Sequence, residues 1–217
     1  MAEAKCIAIV GAESTGKTSL ALALSERLRA DTGQRVACVP EVLRGWCEAA
    51  GRTPRAHEQA PILRLQHEQI AAAAATHDIV VCDTTALMTA VYSELIFNDL
   101  SLHERAALLH RRRINHTLLT AIDLPWVADG LQREGPQVQA PVDQALRVLM
   151  GAQGIPFSVV SGRGGARLAN ARAAWAPLLR GESEAAPDEG AGSTRWHCAN
   201  CGDAACERRL FHTQRGL

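Results

Sequence analysis

Apolar residues along this chain follow two rhythms. Five short runs, 5–10, 35–40, 78–83, 116–122 and 156–161, are apolar and flanked by helical stretches, which predicts strands. Segments 17–30, 57–76, 86–97, 101–113, 140–153 and 164–180 carry apolar positions at three- and four-residue steps, which predicts helices. The helix over 57–76 closes on five consecutive alanines, Ala71 to Ala75, the strongest helix formers. Strand–helix alternation of this kind implies an α/β fold with a central parallel sheet covered on both faces. A ligand is then expected at the carboxyl ends of the strands.

The rhythm stops after residue 180. Residues 181–194 hold almost nothing to bury and read as an acidic, flexible linker. Residues 195–217 form a tail too short for an independent hydrophobic core. The expected organisation is one domain over 1–180, the linker, and the tail.

Composition narrows the picture by exclusion. Hydrophobic residues make up 47% of 217, ample for a core, and net charge is zero. Nothing global therefore argues for nucleic acid or an anionic membrane. No run approaches the 18 or more apolar residues of a membrane span. The first residues enter the first strand directly, leaving no room for a signal peptide, so a cytoplasmic protein with reduced cysteines is expected. Cys6, Cys38 and Cys82 fall in predicted strands and read as small buried hydrophobes.

Candidate chemistry begins between the first strand and the first helix. Gly11-Ala12-Glu13-Ser14-Thr15-Gly16-Lys17-Thr18 fits the phosphate-binding pattern G-x-x-x-x-G-K-[ST], with Ser19 following in the same helical turn. Gly11 and Gly16 permit a backbone whose N–H groups converge on an anion. The helix start adds unsatisfied N–H groups and a positive dipole end. Lys17 supplies a charge for the β- and γ-phosphates, and the Thr18 hydroxyl can ligate Mg²⁺. The pattern implies a P-loop fold that binds a nucleoside triphosphate.

Other residues complete the expected machinery. The strand Ile79–Cys82 ends on Asp83, an acid suited to hold Mg²⁺ opposite Thr18; its alternative role is to cap the next helix. Glu41 follows the second strand, with Arg44 close behind. Glu41 faces the space beyond the γ-phosphate and is a candidate base for an acceptor hydroxyl, and Arg44 can neutralise the transferring group. The alternative is a first-turn Glu beside a helix dipole and an Arg on a solvated face. Residues 125–136 mix Trp, Asp, Gly and Arg between two prolines, which suits a mobile lid. Arg133 is its candidate phosphate-facing arginine, with Arg111, Arg112 and Arg113 as runners-up. Trp126 either packs a substrate base or fills core. Ser161–Gly165 is a glycine-rich loop of the kind that frames a nucleotide base.

The loop Gly11–Thr18, the Glu41–Arg44 segment, Leu65-Gln66-His67, Val80–Thr84 and Trp126–Leu131 occur in an order that resembles the ribosylnicotinamide kinase domain of NadR-type proteins and the AAA-type P-loop ATPases grouped with them. The resemblance covers about residues 4–180. It implies a nucleoside/nucleotide-kinase-like fold, ATP as donor, and the 5′-hydroxyl of nicotinamide riboside as acceptor. The chain departs from the family at Pro40, where an aromatic often precedes the acid, and near Gln69, where a second aromatic is expected. Thr85 stands where a further acid is common, and Arg133 is displaced by one position, with Gln132 in its place.

The tail carries Cys198, Cys201 and Cys206 in C-x₂-C-x₄-C spacing, with His212 six residues on. Three thiolates and an imidazole would complete a tetrahedral Zn²⁺ shell. Free thiols, a redox pair or iron–sulfur ligation are the alternatives. Two functions remain open from sequence. One is a Mg²⁺- and ATP-dependent small-molecule kinase acting on a nucleoside-like acceptor. The other is a regulatory ATPase that meets a protein partner through a zinc-binding tail.

Overall fold

The computed structural model describes residues 3–127 and 135–179. Five parallel strands form one sheet: β1 (Lys5–Val10), β2 (Val36–Val39), β3 (Ile79–Asp83), β4 (His116–Thr120) and β5 (Ser158–Val160), in the order β2-β3-β1-β4-β5. The three inner strands are buried almost throughout, whereas β2 and β5 are short and partly covered, as edges of a parallel sheet should be. β1 fills its expected run, and the other four strands lie inside theirs, trimmed at one or both ends. The sheet is the α/β, P-loop type of core that the sequence predicts.

Seven helices connect and cover it among the described residues: α1 (Lys17–Thr32), α2 (Val42–Ala50), α3 (Ala56–Ala74), α4 (Ala86–Phe97), α5 (His103–Arg111), α6 (Gln139–Ala152) and α7 (Gly164–Leu179). Six match the predicted segments closely; α2 is additional. Its nine residues are apolar at Val42, Leu43, Trp46 and Cys47, and Gly51 ends it in the left-handed region at φ 64°. A single 3-10 turn, Pro136–Val138, leads into α6.

Helices α3 to α6 share a core with the sheet through Leu63, Leu87, Val91, Ala107, Leu146 and Met150, which meet Val10 and Leu119. Farther along α3, Ile70 packs on Cys6, Val80 and Cys82. Each fully buried Leu or Ile contributes about 1.5–3 kcal/mol relative to exposure. On the other side α1 lies against β2 and β3, and Arg172 of α7 reaches Asp31 of α1 at 2.7 Å. Cys6 and Cys82 are buried and Cys38 is partly covered; burial pushes the Cys6 thiol up to about 11, so it stays protonated.

Residues up to Ala176 make one compact unit, and the second begins at Pro177. No helix among the described residues is long and apolar enough to cross a membrane. The linker 181–194, the lid arginine Arg133, and the candidate zinc ligands Cys198, Cys201, Cys206 and His212 lie outside the described residues.

Candidate functional site

β1 is the middle strand, so the loop leaving its carboxyl end sits between the ends of β3 and β4. That loop is Gly11 to Gly16, and α1 starts immediately after it at Lys17. Its backbone passes through positive φ three times, at Gly11 (149°), Ser14 (57°) and Gly16 (77°). Left-handed residues interleaved with right-handed ones turn successive N–H groups to one side, which makes an anion cradle. Gly11 also has no room for a side chain, because a Cβ there would collide with the Thr120 hydroxyl of β4. Thr120 Oγ1 lies 2.7 Å from Thr15 Oγ1, and Thr15 donates to the Ala12 carbonyl at 2.7 Å. The end of β4 thus braces the loop from beneath. Thr120 carries no sequence signal of its own; only the sheet order brings it here.

Lys17 is buried, and its ammonium donates to the Ala12 carbonyl at 2.8 Å, curled over the loop it would serve. Thr18 and Ser19 are exposed at the start of α1. The Thr18 hydroxyl donates to Asp83 Oδ2 at 2.6 Å, joining α1 to the end of β3. Asp83 does not cap α4, because Thr85 does so by accepting from the Leu87 N–H. The other carboxylate oxygen, Oδ1, is buried and has no hydrogen-bond partner. A buried unpaired oxygen beside a threonine hydroxyl is the donor set a hard divalent cation takes, so these residues fit Mg²⁺. Burial pushes the Asp83 carboxyl above its ordinary value, against the Thr18 hydrogen bond and the charges of Lys17 and Arg44. Thr84, the next residue, is held at φ 72°. Such a conformation is costly for a β-branched residue, and this one directly follows Asp83, with its N–H donating to the Ile9 carbonyl of β1 at 3.0 Å.

Glu41 occupies the N-cap position of α2 in an extended conformation, yet its side chain caps nothing. Burial raises its pKa first of all, Lys17 lowers it, Asp83 raises it, Arg44 lowers it and Glu13 raises it. These five side chains therefore share one electrostatic neighbourhood at the carboxyl edge of the sheet. Glu13 brings a buried, unpartnered Oε2 to the loop. The backbone on either side of Glu41 is gripped by Gln66 of α3. Its Oε1 accepts from Val42 N at 2.8 Å and its Nε2 donates to Pro40 O at 3.2 Å. Gln66 is itself buried. The sequence offered it only as part of a family-like string.

Behind α4, His110 joins two hydroxyls: its Nδ1 lies 3.1 Å from Thr85 Oγ1 and its Nε2 lies 2.8 Å from Thr117 Oγ1. Burial pushes its pKa down to about 3, so the ring is neutral. Ser14 reaches the other side of the loop, accepting from Val127 N at 2.8 Å, and Gln139 of α6 donates to the Glu13 carbonyl at 2.8 Å. Trp126 is half-buried. The runner-up arginines fail by position. Arg111 ends α5 and, with Arg112 and Arg113, precedes β4, so all three sit at the edge of the parallel sheet opposite the phosphate loop. A loop at the far ends of the strands cannot present a side chain to the phosphates.

A family model described as an AAA domain matches residues 6–167. No curated protein matches the chain. Among solved structures, a NadR protein in complex with NAD and AMP-PNP superposes with a TM-score of 0.63 at 18% identity, covering 87% of this chain and 52% of that one. A NadR protein in complex with NR superposes equally well, at 18% identity, with 87% and 54% covered. Thymidylate kinase from Ehrlichia chaffeensis gives 0.54 at 16% identity, with 74% and 94% covered. The chain spans about half the length of the NadR proteins it resembles, and at these identities the likeness concerns the fold.

Proposed function

This chain belongs to the AAA domain family, and from that premise we propose that it is a cytoplasmic ATP- and Mg²⁺-dependent kinase that phosphorylates a nucleoside-like hydroxyl. The observation that carries this reading is Glu41. It is an acid that caps nothing, held beyond the phosphate loop and in electrostatic reach of Lys17, Asp83 and Arg44. An acid fixed there suits an attacking oxygen that must lose its proton, and the likeness to NadR and thymidylate kinase structures favours an acceptor hydroxyl over water as that oxygen.

Each residue then has a task. The N–H groups of Gly11–Thr18 and the Lys17 ammonium hold and orient the β- and γ-phosphates. Thr18 and Asp83 would hold Mg²⁺, which when bound neutralises charge on the phosphate oxygens. Glu41 accepts the proton of the attacking hydroxyl and Arg44 offsets the charge of the transferring group; Arg133 supplies a further cation from 125–136. Phosphoryl transfer needs positioning and electrostatics more than covalent chemistry, so this set suffices. The NadR structures carry an ATP analogue in one case and NR in another, which supports ATP as donor and makes nicotinamide riboside the first acceptor to try.

The test is Glu41→Gln. Transfer to the acceptor should fall by about 100-fold or more, while ATP binding stays within about two-fold. Retained transfer removes Glu41 from the base role. In the tail, the spacing of Cys198, Cys201, Cys206 and His212 supports a structural zinc site. Elemental analysis of purified protein should return one zinc per chain, and neither zinc nor iron would end that assignment.

A further inference from the structure

We propose that Arg167 and Asp123 are positioning residues that lock the nucleoside side of the nucleotide cradle to the phosphate loop. The inference rests on the ATP reading above. In the sheet order β2-β3-β1-β4-β5, the phosphate loop leaves the middle strand. Asp83 ends β3 and Glu41 comes shortly after β2, on one side of it. A nucleotide whose terminal phosphate points toward those acids must have its nucleoside on the other side, over the ends of β4 and β5.

Three segments leave the sheet on that side: the phosphate loop itself, the stretch after β4, and the turn between β5 and α7. One guanidinium binds the first two directly and the end of β5, from which the third departs. Arg167 Nη2 donates to the Thr15 carbonyl at 2.8 Å, to the Ala121 carbonyl at 3.1 Å and to Asp123 Oδ1 at 2.9 Å. Its Nη1 donates to the Val160 carbonyl at 3.0 Å. Asp123 passes the connection on, because its Oδ2 accepts from the Gly162 N–H at 2.6 Å. Gly162 sits at φ 96° in the turn, so that amide points where it does only through a left-handed backbone.

The arrangement is more than a buried ion pair that staples α7 to the sheet. The Arg167 side chain is 4% exposed and Asp123 is 31% exposed, so the arginine is largely withdrawn from water while its partner keeps one side open. Removing a guanidinium from water is costly, and burial does pull the Arg167 pKa down against Asp123. A stapling pair would need one carboxylate. Here three of the acceptors are main-chain carbonyls, one from each strand end or loop that flanks the cradle. A planar fork can meet four acceptors at once; a lysine ammonium cannot. The Thr15 carbonyl lies inside the phosphate loop, so a shift in the Gly162 turn passes through Asp123 and Arg167 to the loop that holds the phosphates.

The two halves of the ligand separate the role of each residue. Inorganic tripolyphosphate needs only the phosphate loop, whereas ATP needs both sides at a fixed spacing. Calorimetric titration of the full chain with Mg²⁺ and either ligand is the experiment. Asp123→Ala should weaken ATP binding at least ten-fold and leave tripolyphosphate within about two-fold, with Asp123→Asn restoring part of the ATP affinity. Arg167→Lys should weaken both. Wild-type affinity of Asp123→Ala for ATP, with its thermal melt showing a folded protein, would overturn the proposal. So would equal losses for both ligands, since Asp123 would then support only the phosphate loop. Failure of the wild-type chain to bind ATP would overturn the nucleotide reading and this inference with it, and is told apart by the unmutated protein alone.

Discussion

Asp83→Asn should make the nucleotide-free protein more stable and less able to use nucleotide. The Asp83 carboxylate is 3% exposed, bonded on one oxygen by Thr18 and unpaired on the other. Its pKa is raised by burial, with the Thr18 bond and the Lys17 and Arg44 charges acting the other way. A raised folded-state pKa means the carboxyl's contribution is fully present below the unfolded value, about 3.9, and is lost as pH rises through the folded value. At neutral pH the ionised group therefore opposes folding. Asparagine keeps an oxygen for Thr18 and removes the charge. Stabilising single substitutions commonly give about 0.5–2 kcal/mol, and each kcal/mol moves Tm by about 2–4 °C in a domain of this size. A ligand at 100 times its Kd adds about 2.7 kcal/mol to the wild type, most of which the variant should lose for Mg²⁺·ATP. Thermal melts at pH 7, with and without Mg²⁺·ATP, read both effects. A lower Tm for the nucleotide-free variant would show the opposite, that the carboxylate is a structural tie to α1. An undiminished Mg²⁺·ATP shift would remove Asp83 from the metal site.

Other outcomes follow from the same geometry. Gln66→Leu frees the backbone on both sides of Glu41, so kcat with an acceptor should drop at least ten-fold while the KM for ATP stays within about two-fold; an unchanged kcat would deny the grip on Glu41. Because burial raises the Glu41 pKa, activity should climb with pH through a midpoint above the ordinary glutamate value of about 4.3, and Glu41→Gln should lose that limb. His110, pushed down to about 3 when folded against about 6.5 unfolded, lets only the unfolded chain gain a proton between those values. Stability should then fall as pH drops below about 6.5, and urea midpoints at pH 7 and pH 4.5 should differ less in His110→Asn than in the wild type. Gly11→Ala combines a strained φ, worth about 1–3 kcal/mol, with a collision at Thr120; it should lower Tm by several degrees and abolish the ATP-induced shift.

Much of the fold was legible because its signals are local. An inner strand buried on both faces is largely apolar, so β1 and β3 announce themselves, whereas β4 shows only Leu118 and Leu119 between buried threonines; long helices repeat their period several times. Helix α2 escaped because nine residues give little more than two turns of period, and Gly45 interrupts them. The phosphate loop was legible for a different reason: it is one continuous segment whose residue types are each forced by a task. Asp83 follows the same logic at the end of an apolar strand. What stayed hidden acts across the chain. Arg167 meets Asp123 from 44 residues away and Thr15 from 152, and Gln66 meets Val42 from 24. No local pattern marks such partners, since an arginine in a helix and a glutamine in a helix are ordinarily solvated. Backbone strain at Ser14 and Thr84 was equally silent, because neither residue type favours positive φ.

A kinase differs from an ATPase in whether the terminal phosphate of ATP reaches a hydroxyl other than that of water. The purified 217-residue protein, Mg²⁺ and ATP should be incubated with nicotinamide riboside and with a panel of other nucleosides, and the products followed by phosphorus NMR and mass spectrometry. One acceptor should raise ATP turnover and yield a phosphomonoester in step with ADP, and Glu41→Gln should abolish both. ADP formed with inorganic phosphate alone, at a rate no acceptor changes, would rule out a kinase and leave a regulatory ATPase in its place.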